Sequence, residues 1–183
     1  MLALPAVIVG AVAFGMVLIG IVPATAVGAA LPIIIAASLA LYMATIWASR
    51  IGESAPAGFF GVLGTFFMSY AVLVLGLIHN WFGIAPTAVA DTQKIFVISW
   101  IVIVALLMIA ALRLPVAYLA LFTVAEAALV LNLVGIINVS ENLTKAAGWA
   151  LMGFAALAVY LFAGTAFKAA GGKELPLGKP LVH

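Results

Sequence analysis

The chain has 183 residues, of which 68% are hydrophobic and 7% charged, with a formal net charge of +2 and a mean hydropathy of +1.42. A soluble domain is typically about 45–50% apolar and about 25% charged, so this composition excludes a water-soluble globule and indicates an integral membrane protein. The small net charge and the lack of a basic run with interleaved aromatics exclude a nucleic-acid partner. Cysteine is absent and the two histidines, His79 and His183, lie far apart, so no disulfide, metal centre or cofactor is expected.

Six apolar segments are each about as long as the ~20 residues that a membrane-spanning helix needs. In chain order they cover residues 4–22, 26–48, 57–78, 95–112, 116–137 and 146–167. The first segment lacks the basic start of a signal peptide, so it is interpreted as a mature membrane helix. Pro32 lies inside the second segment and predicts a kink near the start of that helix. The predicted fold class is therefore all-α, a polytopic membrane protein with six transmembrane helices.

Two parts of the chain are distinguished by composition. Residues 1–168 form the predicted six-helix transmembrane domain. Residues 169–183 form a short basic tail, rich in glycine and proline, that is expected at the cytoplasmic membrane surface.

Loop charges predict the orientation, because cytoplasmic loops carry an excess of Lys and Arg. With both termini inside, only Lys94 and Lys145 would lie outside. The five remaining basic residues would then be cytoplasmic: Arg50, Arg113, Lys168, Lys173 and Lys179. We therefore predict a multi-pass protein of the cell membrane, the inner membrane in a bacterium, with both termini cytoplasmic.

Glycines recur in two of the predicted helices, at Gly10, Gly15 and Gly20 in the first and at Gly58, Gly61 and Gly64 in the third. Small residues let membrane helices approach closely, so these positions predict tight helix packing.

Glu126 is the only ionisable residue well inside a predicted span. A carboxylate at mid-bilayer costs about 2.5–3.5 kcal/mol on insertion scales. One interpretation is a structural carboxyl group, hydrogen-bonded to a neighbouring helix or another subunit. The other is a proton-responsive group beside a water-filled path. No catalytic motif accompanies it, so the chain is not expected to be an enzyme, and moving a solute across the bilayer is the favoured activity.

Three stretches of the sequence resemble the succinate–acetate permease family, also called acetate uptake transporters. They are G-E-S with G-T-F-F-M-S-Y-A (residues 52–54 and 64–71), A-G-W-A-L-M-G-F-A-A-L-A-V-Y-L (147–161) and L-P-L-G-K-P (175–180). The resemblance covers about residues 4–180 and is weaker in the fourth and fifth helices. The family's N-terminal motif is partly present: Pro5, Ala6, Gly10 and Gly15 match it, whereas its asparagine is replaced by Leu4.

The resemblance implies six helices around a central pore in each subunit, a homo-oligomer that is commonly a ring of six, and small monocarboxylates or succinate as solutes. Transport would be channel-like or coupled to protons. The family's three-residue pore constriction maps onto Phe14, Leu63 and either Val124 or Ala125. Leu63 replaces a tyrosine and both helix-five alternatives are smaller than the family's leucine, so a wider throat is expected. Glu126 follows this constriction and is expected at or just behind the pore wall.

The alternative is a channel for urea or short-chain amides of the AmiS/UreI type. V-G-A-V in the first helix and G-L-I-H-N-W-F-G-I around His79 are similar to that family. The L-P-L-G-K-P tail favours the first interpretation, as does the lack of paired tryptophans in the fifth helix.

Overall fold

A computed structural model describes residues 2–173 and 175–182 of the chain; Met1, Glu174 and His183 lie outside the described residues. Six α-helices account for most of it, and no strand occurs within the described ranges, as the all-α prediction expected. Two short 3-10 helices, Ala24–Ala29 and Pro86–Ala88, lie in the connections. The helices are α1 Ala3–Ile19, α2 Leu31–Arg50, α3 Ser54–Ile78, α4 Val89–Ala111, α5 Val116–Ile137 and α6 Glu141–Ala169.

Five of these helices, α2 to α6, are long and apolar enough to cross a bilayer. The chain is thus a multi-pass membrane protein. Helix α1 has 17 residues, which at 1.5 Å per residue gives about 25 Å and lies at the short end of the range for a spanning helix. The exact count of six spans therefore stays a prediction.

The start of α2 differs from the sequence-based expectation. Gly20 ends α1 in the left-handed conformation, with φ of 88°, and the 3-10 helix Ala24–Ala29 follows. Pro32 then occupies the first turn of α2, where the missing N–H of proline would have had no helical partner. The predicted kink at Pro32 is therefore wrong, because the proline begins the helix and does not interrupt it.

Helices α4 and α6 begin earlier than predicted, since apolar content alone defined the expected spans. The first turns of α4 contain Asp91 and Lys94, whose side chains pair at 2.9 Å. At the start of α6, Glu141 pairs with Lys145 at 2.7 Å and the Ser140 hydroxyl accepts a hydrogen bond from the backbone of Leu143. Ion pairs and a cap thus extend both helices beyond their apolar segments.

The helices form a closed ring in which chain neighbours pack side by side and α6 returns to α1. The α3–α4 contact is the weakest in this ring. Helices α1 and α6 pack closely because Gly15 and Gly148 face each other. Between α2 and α3, the buried Ser38 hydroxyl donates a 2.8 Å hydrogen bond to the Gly64 carbonyl. The glycine prediction therefore holds for Gly15 and Gly64, whereas a side chain at Gly58 would meet nothing within 4 Å.

The first and last residues that the structure describes lie at the same end of the ring, which we call the terminal end. There, Leu2 and Ala3 line one cavity together with Ile51, Tyr118 and Thr165, from the α2–α3 turn, α5 and α6. The basic tail crosses the same end and is held by hydrogen bonds. Ala117 donates to the Leu177 carbonyl at 3.0 Å and Tyr160 donates to the Pro176 carbonyl at 2.7 Å. The tail therefore packs on the bundle instead of simply lying at the membrane surface.

Candidate functional site

Three cavities follow one another along the axis of the ring. The first, at the terminal end, has about 180 Å³ and is lined by the first halves of α1, α3 and α5; we call it the terminal vestibule. The central cavity has only about 40 Å³, room for a few water molecules at most. The third, the far vestibule, has about 220 Å³ and is lined by the second halves of α1, α3 and α5 with the starts of α4 and α6. Together they form a row along the axis of the ring, which we call the path.

Apolar side chains separate these cavities. Leu63 of α3 lines both the terminal vestibule and the central cavity. At the other neck, Phe14 of α1 and Phe66 of α3 line both the central cavity and the far vestibule. The Phe14 ring lies 5.8 Å from the Phe66 ring and 4.2 Å from the Tyr70 ring, centroid to centroid. Close ring contacts therefore narrow the path where α1 meets α3.

The structure places the four residues of the predicted constriction differently. Phe14, Leu63 and Ala125 all line the central cavity, from α1, α3 and α5 respectively. Val124 faces α6, with its Cγ1 atom 3.7 Å from the point where a Cβ on Gly153 would lie. Of the two alternatives on α5, Ala125 is thus the one that lies on the path.

The residues of the N-terminal motif serve the packing of α1. Ala6 is buried, and a Cβ at Gly10 would come within 2.5 Å of the Phe67 ring, so the ring lies directly on that glycine. Gly15 lies against the Gly148 carbonyl of α6, and Pro5 stands in the first turn of α1. None of these four residues is among those that line the three axial cavities.

Glu126 lies beside the path. Successive residues of a helix are rotated by about 100° around its axis. Val124 points towards α6 and Ala125 towards the central cavity, so Glu126 points away from α6. Its Oε2 atom is shielded from solvent and has no hydrogen-bond partner within the described residues. Buried polar atoms are normally hydrogen-bonded, so this oxygen requires a proton, a water or a group from outside the chain. Glu126 is not among the lining residues of the three axial cavities.

Sequence reasoning passed over the polar residues of the far vestibule. Asn132 is 9% exposed and lines both the central cavity and the far vestibule. Tyr70, Gln93 and Thr144 line the far vestibule with it, from α3, α4 and α6. The usable signal was spacing, because Asn132 follows Ala125 by seven residues and therefore shares its face of α5.

Charge on the path is low. The residues lining the three axial cavities include no Lys, Arg, His, Asp or Glu. In the described part of the chain, no three His, Cys, Asp or Glu residues come together in a group that could hold a metal ion. The side chains of the site can therefore contact a solute only through apolar groups, two amides and hydroxyls.

The sequence profile of the GPR1/FUN34/yaaH family matches residues 2–171. The chain belongs to this family. A solved structure of similar fold is described as "Structure of the bacterial acetate channel SatP". That structure has a TM-score of 0.76 and 21% sequence identity, over 94% of this chain and 98% of that one. No curated protein shows significant sequence similarity to the chain. The family assignment agrees with the resemblance that the motifs indicated.

Proposed function

We propose that the chain is a membrane channel or transporter for small monocarboxylates such as acetate, with succinate as a second candidate solute. The observation that carries this proposal is the row of three axial cavities, whose shared lining residues carry no charge and are apolar except for Asn132. Membership of the GPR1/FUN34/yaaH family supports it, as does the fold shared with a bacterial acetate channel.

The necks determine which form of the solute passes. Moving a charged carboxylate past Leu63 and Phe14 would strip its water without offering a charged partner. The protonated acid, or the anion accompanied by a proton, avoids most of that cost. In the far vestibule, the Asn132 amide can donate a hydrogen bond to one carboxyl oxygen and accept one from a protonated oxygen.

The same geometry favours one competing solute class. A path without basic side chains also suits an uncharged amide, and Asn132 can pair with urea or a short-chain amide through both its carbonyl and its amino group. A urea or amide channel of the AmiS/UreI type is therefore the alternative that the flux experiment must distinguish.

The experiment is a flux assay in proteoliposomes with labelled acetate, succinate, urea and acetamide across a pH series, corrected for protein-free vesicles. We expect Leu63→Trp to abolish most protein-dependent flux, because the indole would fill the neck between the terminal vestibule and the central cavity. Leu106→Trp, at a 56% exposed position on the outer face of α4, is the matched control and should transport normally. Normal acetate flux through Leu63→Trp would contradict the axial route. Protein-dependent flux of urea but not of acetate would favour the alternative.

Glu126 is proposed as the proton-responsive group behind the pore wall. Its unpaired, shielded oxygen supports this assignment, since a carboxyl group there gains from holding a proton. Glu126→Gln keeps the size of the side chain and removes titration. We expect the variant to fold and to lose the part of the pH dependence of acetate flux that remains after correction for the fraction of protonated acetic acid. An unchanged rate and an unchanged pH profile would refute the coupling role and leave Glu126 as a packing group.

We also propose that the protein is a homo-oligomer, a hexamer as the resemblance implies, with both termini cytoplasmic. The placement of both termini at one end, beside Arg50 and Arg113, supports this orientation. Native mass spectrometry from detergent measures the subunit number, and protease access to the tail in oriented vesicles measures the orientation.

A further inference from the structure

An open groove of about 700 Å³ runs along the outside of the ring between α2, α3 and α4. It begins at the α2–α3 turn, beside Gly52 and Ser54, and reaches Trp100 near the middle of α4. Small and hydroxyl-bearing residues dominate its lining, and no charged residue is among them. Its lining residues are Thr45, Ser49, Gly52, Ser54, Ala57, Gly58, Gly61, Val62, Thr65, Trp100 and Ile103.

This groove adjoins the central cavity. Val62 and Trp100 line both spaces, so these side chains stand between the groove and the route along the axis. The partition is thin because the α3–α4 contact is the weakest in the ring. Trp100 is held edge-on against Phe66, with ring centroids 5.1 Å apart and an interplanar angle of 83°. A rotation of the indole would join the two spaces.

The chemistry of the lining indicates what can occupy the groove. The Thr45 and Thr65 hydroxyls each donate a 2.9 Å hydrogen bond to a carbonyl of their own helix, which leaves their oxygens free to accept. An acceptor row without a basic side chain suits a protonated carboxyl group and disfavours a carboxylate. A lipid acyl chain would fit the apolar part but would leave the hydroxyls unused.

We propose that the α3–α4 seam is a side entrance, gated by Trp100, through which an undissociated short-chain acid passes between the bilayer and the central cavity. The choice of solute rests on the proposed function; the existence of the entrance does not. Because a weak acid in its neutral form partitions into the bilayer, a side entrance lets the pore take up the form that its apolar necks favour.

The test measures access from the bilayer to a thiol in the central cavity. The natural chain has no cysteine, so Ala128→Cys, at a buried position that lines the cavity, introduces a single reactive group. In proteoliposomes, its reaction rate is compared for methyl methanethiosulfonate, which is uncharged, and for the sulfonatoethyl reagent, which is charged. Mass spectrometry gives the modified fraction against time.

Two substitutions that fill the groove, Gly61→Leu and Thr65→Phe, are each added to the Ala128→Cys protein. Gly28→Leu is the matched control, because a Cβ there meets nothing within 4 Å and the residue lies in the 3-10 helix Ala24–Ala29. We expect each groove-filling variant to slow the uncharged reagent by about tenfold, the effect of a barrier raised by about 1.4 kcal/mol. The control should react at the parent rate, and Trp100→Ala should react faster than the parent.

The charged reagent separates the side entrance from the axial route. It can reach the cavity only through the vestibules and past the apolar necks, which disfavour charge, so it should react much more slowly than the uncharged reagent, at a rate that filling the groove leaves unchanged. Parent-like reaction of the uncharged reagent in both groove-filling variants would overturn the proposal, as would a thiol that the uncharged reagent never modifies. If a second copy of the chain permanently covered the groove, the uncharged reagent would react at the parent rate in both groove-filling variants. Because the side entrance would bypass the Leu63 neck, flux that remains in Leu63→Trp is measured again after Gly61→Leu is added. Residual flux that Gly61→Leu removes enters from the side, whereas residual flux that it leaves unchanged contradicts the axial neck alone, so the two proposals fail separately.

Discussion

The contact between α1 and α6 gives the sharpest stability prediction. A Cβ added at Gly148 would lie 2.7 Å from the Ile19 nitrogen and 2.9 Å from the Gly15 carbonyl oxygen, both backbone atoms that cannot rotate away. Gly148→Ala must therefore push α1 and α6 apart by several tenths of an ångström. Overpacking of this kind costs about 1–3 kcal/mol. The better helix propensity of alanine returns about 0.5–1 kcal/mol, so we expect a net loss of roughly 1–2 kcal/mol.

Gly153 on the same helix provides the matched control. A Cβ there would meet only the Val124 Cγ1 atom, at an ordinary contact distance of 3.7 Å. Gly153→Ala should therefore keep the propensity gain and raise the stability by about 0.5–1 kcal/mol.

The assay is thermal unfolding in detergent, followed by the fraction that remains monodisperse on size exclusion. At about 2–4 °C per kcal/mol for a chain of this size, Gly148→Ala should melt at least about 3 °C below Gly153→Ala. Because α1 carries Phe14 into the central cavity, Gly148→Ala should also lose acetate flux. Equal melting temperatures for the two variants would show that the seam relaxes freely and would refute the packing argument.

Two further predictions concern a turn and the tail. Val139 follows α5 with φ of 50°, a left-handed conformation that costs a branched side chain about 1–2 kcal/mol. Val139→Gly should therefore raise the melting temperature. The control, Val130→Gly inside α5, should lower it. Tyr160→Phe removes the 2.7 Å hydrogen bond to the Pro176 carbonyl, worth about 1 kcal/mol, and should speed proteolysis of the tail without unfolding the helices. Unchanged proteolysis would mean that the hydrogen bonds from Ala117 to Leu177 and from Leu181 to Leu112 suffice to hold the tail.

The function of the L-P-L-G-K-P stretch became interpretable only with the fold. As sequence it is a short motif typical of a family, in a tail expected to lie at the membrane surface. In the structure, the Leu177 carbonyl accepts a hydrogen bond from Ala117 in the first turn of α5. Leu181, just after the motif, donates to the Leu112 carbonyl in the turn between α4 and α5, and that turn contributes Leu114 to the terminal vestibule. The motif therefore fixes the position of a vestibule wall through contacts between residues some 60 positions apart in the chain, which no local pattern could reveal.

Glu126 and Asn132, both on α5, also show the difference between what the sequence indicates and what the fold reveals. Hydropathy identified Glu126 because a charge in an apolar run is conspicuous, yet the rotation of α5 places Ala125 and Asn132 on the path and Glu126 beside it. Asn132 was less conspicuous because its amide carries no charge.

Composition and apolar length by themselves determined that the chain is a helical, multi-pass membrane protein, because the bilayer requires every backbone polar group to be paired within its own segment. The family motifs were also readable one after another along the chain. Only the tertiary structure decided which face of each helix meets the axis, where the necks fall and that the α3–α4 seam is thinly closed. These features depend on how each of six similarly apolar helices is oriented about its own axis. Because each helix is nearly uniformly hydrophobic around its circumference, the sequence does not indicate which face packs inwards.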